Sequence, residues 1–97
     1  MATVFIDAEN VRRSVWPNIP GPELDTLCRQ WGHAHGHDVV VVWEGDATAD
    51  DQIAHKVREV AAPVWVVTSD QELRSRVTDY AERIIGGGSF ARELTQA

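Results

Sequence analysis

The sequence predicts an α/β fold, a three-layer α-β-α sandwich around a four-stranded, mostly parallel sheet. Three observations carry this. Short apolar runs alternate with stretches of helical periodicity, giving strand then helix four times over. The runs are apolar at consecutive positions, as strands covered by helices on both faces must be. The first three of them lead directly into acids: Asp7, Glu44 and, past Thr68 and Ser69, Asp70. A parallel sheet gathers such positions along its carboxyl edge, where ligands bind at the reversal of strand order.

Thr3 to Asp7 forms the first strand, and Ala8 to Val15 turns into a short helix. Three prolines and a glycine between Trp16 and Pro22 keep that segment a loop. Leu24, Leu27, Cys28 and Trp31 recur at helical spacing and predict a helix over Glu23–His35, stopped by Gly36. Val39 to Trp43 is the clearest strand, because four β-branched residues in a row disfavour helix. After a connection from Glu44 to Thr48, Ile53, Val57 and Val60 mark one face of a helix over Ala49–Ala61. Val64 to Thr68 is the third strand. A helix over Gln71–Ala81 follows, capped by Asp70 or Ser69. Arg83 to Ile85 forms a short last strand, and Gly86-Gly87-Gly88 turns the chain into a helix over Ser89–Leu94.

Ninety-seven residues make a single domain, 1–97, burying roughly 60–65% of its unfolded surface. A core of that size suits a monomer or a weak homodimer. Hydrophobic residues at 43% and charged residues at 25% are ordinary for a globular chain. No signal peptide is expected, and no apolar run approaches the ~20 residues that cross a bilayer. The single cysteine, Cys28, suits a reducing, cytoplasmic setting and reads as a helix residue, not a nucleophile. The net charge of −6 argues against a general nucleic-acid coat protein. However, Asp7, Glu9, Glu44, Asp46, Asp50, Asp51 and Asp70 all lie at or beyond strand ends, and without them eight acids face nine bases. The acidity therefore belongs largely to one edge of the sheet and does not exclude a polyanionic substrate.

Carboxylates gathered in one crevice repel each other unless protons or divalent cations neutralise them. Metal-assisted phosphodiester hydrolysis needs several oxygen ligands around one or two cations. Asp7, Asp50, Asp51 and Asp70 supply that ligand type with no histidine. The plainer reading makes Asp50 and Asp70 helix caps and Asp7 an isolated strand-end acid.

The residue identities add to this. Ile6-Asp7-Ala8-Glu9-Asn10-Val11, then Thr48-Ala49-Asp50-Asp51-Gln52-Ile53, then Val67-Thr68-Ser69-Asp70 resemble, in order, the three acidic motifs of the NYN domain family of PIN-like ribonucleases. The tail from Gly87 to Leu94 is similar to the end of its YacP-like bacterial branch. The resemblance implies a PIN-like, Rossmann-like fold whose acidic pocket binds Mg²⁺ or Mn²⁺ and cleaves RNA. It implies Asp7, Asp50, Asp51 and Asp70 as metal ligands, Asn10 as a residue ordering the pocket or touching phosphate, and Glu44 as a candidate outer ligand. Ser69 is expected to orient Asp70. Two places depart from the family pattern. Ala8-Glu9 stands where glycine usually follows the first aspartate, and Gly45–Thr48 replaces a longer segment.

Arg12, Arg13, Arg74, Arg76 and Arg92 follow these motifs, and arginine holds phosphate in a bidentate manner. Arg74 and Arg92 are the candidate substrate contacts, together with Ser69. His33, His35 and His37 are favoured by a helix C-terminus and lack the spacing of a zinc site. The glycine run lacks the lysine of a nucleotide-binding loop. Of the four tryptophans, Trp31, Trp43 and Trp65 read as core, and Trp16 as a candidate contact. The leading expectation is a metal-dependent endoribonuclease acting on single-stranded or loop mRNA. The competing one is a catalytically weak PIN-like RNA- or ribosome-binding regulatory module. A phosphoacceptor receiver domain ranks lower, since the only lysine, Lys56, lies within a helix and not at a strand end.

Overall fold

The computed structural model describes residues 1–96. Four strands, β1 (Thr3–Asp7), β2 (Asp38–Val42), β3 (Val64–Val67) and β4 (Arg83–Ile85), form one sheet in the order β2-β1-β3-β4. Every pairing is parallel, with Ile6 opposite Val41 on one side and Val67 on the other. Five helices connect and follow the strands: α1 (Ala8–Arg12), α2 (Gly21–His35), α3 (Ala49–Lys56), α4 (Gln71–Val77) and α5 (Gly87–Thr95).

Side chains alternate faces along a strand, and the two halves of the core divide accordingly. Val4, Ile6 and Val67 pack with Val11 of α1, Leu24, Cys28 and Trp31 of α2, and Phe90 and Ala91 of α5. Phe5, Val42, Val64 and Val66 pack with Ile53 of α3 and with Leu73 and Val77 of α4. The α-β-α sandwich is thus present, with three helices on one face and two on the other. Among the described residues no helix is long and apolar enough to cross a membrane.

Most departures from expectation lie at element ends. The helix at Asp50 stops at Lys56, not Ala61, and the one at Gln71 stops at Val77, not Ala81. In both segments the apolar spacing runs on through residues that the structure places in turns. Val57 remains buried there, so periodicity reports burial beyond the helix itself. α2 begins two residues early, at Gly21, because Pro22 fits a first helical turn. Gly36 does end α2, with φ at 71°, a left-handed conformation that glycine adopts without steric cost. Gly87 and Gly88 belong to α5 itself and not to the turn before it.

Chain direction places the crevice. From β1 the chain leaves toward β2, whereas from β3 it leaves toward β4, although β1 and β3 are neighbours. Their carboxyl ends therefore diverge and open a gap between Asp7 and the β3–α4 connection.

Candidate functional site

Asp7 is the last residue of β1 and caps the sheet beneath this gap. It is 5% exposed, so its carboxylate stands at the floor of the crevice. The Thr68 hydroxyl donates to Asp7 Oδ2 at 2.9 Å. The same oxygen, Thr68 Oγ1, accepts from the Asp70 backbone N–H at 3.1 Å. Asp70 then caps α4, its Oδ1 accepting from the Leu73 N–H at 2.9 Å. Thr68, fully buried at the end of β3, thus joins the two carboxylates.

The role expected of Ser69 falls to Thr68. Ser69 Oγ accepts from the Gly87 N–H at 2.8 Å, tying this loop to the start of α5. The Ser69 N–H donates to Asn10 Oδ1 at 2.9 Å, so Asn10 orders the loop that carries Asp70. In the sequence Thr68 ends the third strand and belongs to the Val67-Thr68-Ser69-Asp70 motif, but carries no expected role of its own. A buried hydroxyl two residues before a capping aspartate was the available signal.

Asp7, Glu44, Asp50 and Asp70 line one recess of about 500 Å³, together with Glu9, Asn10, Arg13, Ser14 and Thr48. Burial pushes the Asp7 carboxyl above its ordinary value, and the charges of Asp70 and Glu44 add to this. The Thr68 hydroxyl and the Asn10 backbone N–H oppose the rise, the latter without forming a full helix-capping bond. Asp50 is raised in the same way, by burial and then by Asp70, Asp7, Glu44 and Glu72. These carboxylates therefore sense one another. Glu9 stands apart electrically: it pairs with Arg12 Nε and Arg13 Nε, each at 2.8 Å. The acid that departs from the family pattern is thus matched by the two arginines that follow it.

Asp51 is not brought to this recess. Successive residues on an α-helix point about 100° apart, so two adjacent aspartates do not share one crevice. Asp51 turns toward α4 and pairs with Arg76 Nη1 at 2.9 Å, lining a separate recess between α3 and α4. Neither does the α3 cap fall to an aspartate, since Thr48 Oγ1 accepts from the Asp51 N–H at 3.1 Å. Arg74 and Arg92 line neither recess. Arg13 is the cation beside the acidic one, and Lys56, Arg58 and Arg76 line the other. Trp16 is 88% exposed, two residues beyond Ser14.

No family model matches the chain, and no curated protein or solved structure matches it.

The donors at the crevice are carboxylate oxygens, the ligand type of Mg²⁺ and Mn²⁺. Their mutual repulsion is the electrostatic condition a divalent cation would relieve. As the side chains stand, among the described residues no three His, Cys, Asp or Glu groups are arranged to hold a metal ion. Donor chemistry and charge therefore fit such an ion, while closing on it would require the carboxylates to draw inward.

Other groups take structural roles. Cys28 is fully buried, and burial with Asp25 nearby pushes its thiol up to about 12, which removes it as a nucleophile. His35 Nδ1 lies 2.9 Å from the Trp31 carbonyl near the end of α2, and His37 Nδ1 accepts from the Ala2 N–H at 3.0 Å. Trp31 is buried and its indole donates to Glu93 at 2.5 Å.

Proposed function

We propose that this chain is a metal-dependent endoribonuclease that hydrolyses RNA phosphodiester bonds at the crevice between the ends of β1 and β3. The observation that carries this is the convergence of Asp7, Glu44, Asp50 and Asp70 on one recess, with Asp7 and Asp50 both held above their ordinary pKa by burial and by neighbouring acids. Stability alone gives no reason to build such a cluster, and perturbed carboxylates in a cleft mark functional sites. The resemblance to the NYN family supports the reaction class.

Asp7, Asp50 and Asp70 would hold Mg²⁺ or Mn²⁺, with Glu44 as an additional acid. When bound, the ion supplies charge neutralisation at phosphoryl oxygens and acidifies water for attack in line. Thr68 keeps Asp7 and Asp70 at a set separation, and its hydroxyl favours the ionised Asp7 that a cation requires. Asn10 holds the Asp70 loop through the Ser69 amide. Asp51, paired with Arg76, has no part in this ligand set. RNA, single-stranded or in loops, is the substrate class proposed, and a cytoplasmic setting accompanies it.

The second reading, a catalytically weak RNA- or ribosome-binding module, is favoured by one observation: among the described residues no three acids stand ready to hold an ion. Incubating purified protein and its Asp7→Asn variant with a structured RNA, in Mn²⁺ or Mg²⁺ and in EDTA, separates the two. The nuclease reading expects cutting that EDTA and the variant both abolish. Absence of both cutting and calorimetric Mn²⁺ binding would leave the binding module.

A further inference from the structure

We infer that the recess between α3 and α4 is a phosphate-binding subsite for the RNA strand flanking the scissile bond, gated by the Asp51–Arg76 ion pair. The choice of RNA rests on the reading above; the site itself rests on separate residues. In a chain of net charge −6, this recess of about 780 Å³ is lined by three cations, Lys56, Arg58 and Arg76, and by His55, against one acid, Asp51. Its volume is in the range of ligand-holding pockets.

The cations differ in how they are held. No acid among the described residues pairs with Lys56 or Arg58. The Arg58 guanidinium lies over the Tyr80 ring, 5.1 Å from its centre, which orients it without neutralising it. His55 pairs with Glu59 at 3.2 Å, outside the group that lines the recess. Arg76 is the one compensated from within the recess, by Asp51 at 2.9 Å, with both side chains well exposed. An exposed pair of this kind is weak, so a phosphate dianion or diester competes with Asp51 for the guanidinium.

The position suits a strand running out of the acidic crevice. Asp50 faces that crevice and Asp51 faces the basic recess, so the first turn of α3 divides them. Lys56, six residues beyond Asp50, lies about 9 Å farther along the helix axis. A strand with one phosphate at the acids would therefore bring a neighbouring phosphate to the cations. The acids alone repel RNA, and this recess supplies the attraction they lack.

The test is anisotropy with a labelled, non-hydrolysable single-stranded oligonucleotide in EDTA, so that neither metal nor cleavage enters. Lys56→Ala/Arg58→Ala is expected to weaken binding about tenfold or more at low salt and to flatten the log affinity–log salt slope by about 1.4, two phosphate contacts' worth. Asp51→Asn is expected to tighten binding severalfold, a gain that misfolding does not produce. Unchanged affinity and slope in the double variant, or no tightening in Asp51→Asn, would overturn the subsite. Equal binding of polyglutamate would also overturn it, as a mere anion patch. Wild-type cleavage with KM unchanged in the double variant would sink the subsite and keep the nuclease. Subsite-dependent binding without any metal-dependent cutting would do the reverse.

Discussion

Thr68 donates its hydroxyl proton to Asp7 and receives the Asp70 amide, so one buried side chain relates two carboxylates on neighbouring strands. Thr68→Val keeps the volume and removes both bonds. It is expected to cost about 1–3 kcal/mol in metal-free denaturant unfolding, with Thr68→Ser recovering most of it. Asp7 raises the opposite issue, since burial and like charge disfavour its ionised form in the folded state. A carboxyl whose pKa is raised by folding contributes stability below its unfolded value, about 3.9, and loses it as pH rises through the folded value. In EDTA at pH 7, Asp7→Asn is therefore expected to be more stable than the natural chain by roughly 0.5–2 kcal/mol. That gain should shrink away as pH falls toward 4, and melting curves across this interval follow it directly. A variant less stable than wild type at pH 7 would mean that Asp7 carries no charge strain.

The crevice is held together by connections between helices as much as by the strands. Asn10 of α1 accepts from the Ser69 amide, and Ser69 accepts from the first amide of α5. At Gly87 a Cβ would collide with Asn10 Oδ1, so glycine is required by close approach and not by an unusual φ. Gly87→Ala is expected to push Asn10 off Ser69 and to cost about 1–3 kcal/mol, the range for overpacking. The diagnostic reading is the Ser69 amide, whose hydrogen-exchange protection should fall more than that of the β1 and β3 ladder. Equal loss throughout would indicate general destabilisation. The existence and order of the elements were legible because parallel strands and amphipathic helices carry different periods. The ends of α3 and α4 were not, because apolar positions continue past the last helical residue into the turns that follow.

Seen across the molecule, charge is divided: an acidic recess and a basic one lie on either side of the start of α3. A ligand that binds only the folded state stabilises it by about 2.7 kcal/mol at one hundred times its Kd. Mn²⁺ is therefore expected to raise the melting midpoint of the natural chain by several degrees, and that of Asp7→Asn by much less. Protons compete for the same raised carboxylates, so Mn²⁺ affinity should fall as pH is lowered from 7 toward 5. An equal shift with both proteins would assign the effect to the surface acids and not to the crevice.

The sequence by itself determined the α/β sandwich, the strand-end positions of Asp7 and Asp70 and their gathering along one edge of the sheet. Periodicity, β-branching and connection order act locally or through a few topological rules, and so can be read from the chain. Only the tertiary structure decided which of Asp50 and Asp51 faces the crevice, that Thr68 and not Ser69 joins the carboxylates, and that Lys56, Arg58 and Arg76 rather than Arg74 and Arg92 form the cationic recess. The facing of Asp50, Asp51 and Arg76 depends on the rotation of α3 and α4 about their own axes, which the packing of Ile53, Leu73 and Val77 beneath the sheet sets, and that of Thr68 on the burial of the chain as it leaves β3. No property of the aspartates or arginines themselves encodes that rotation.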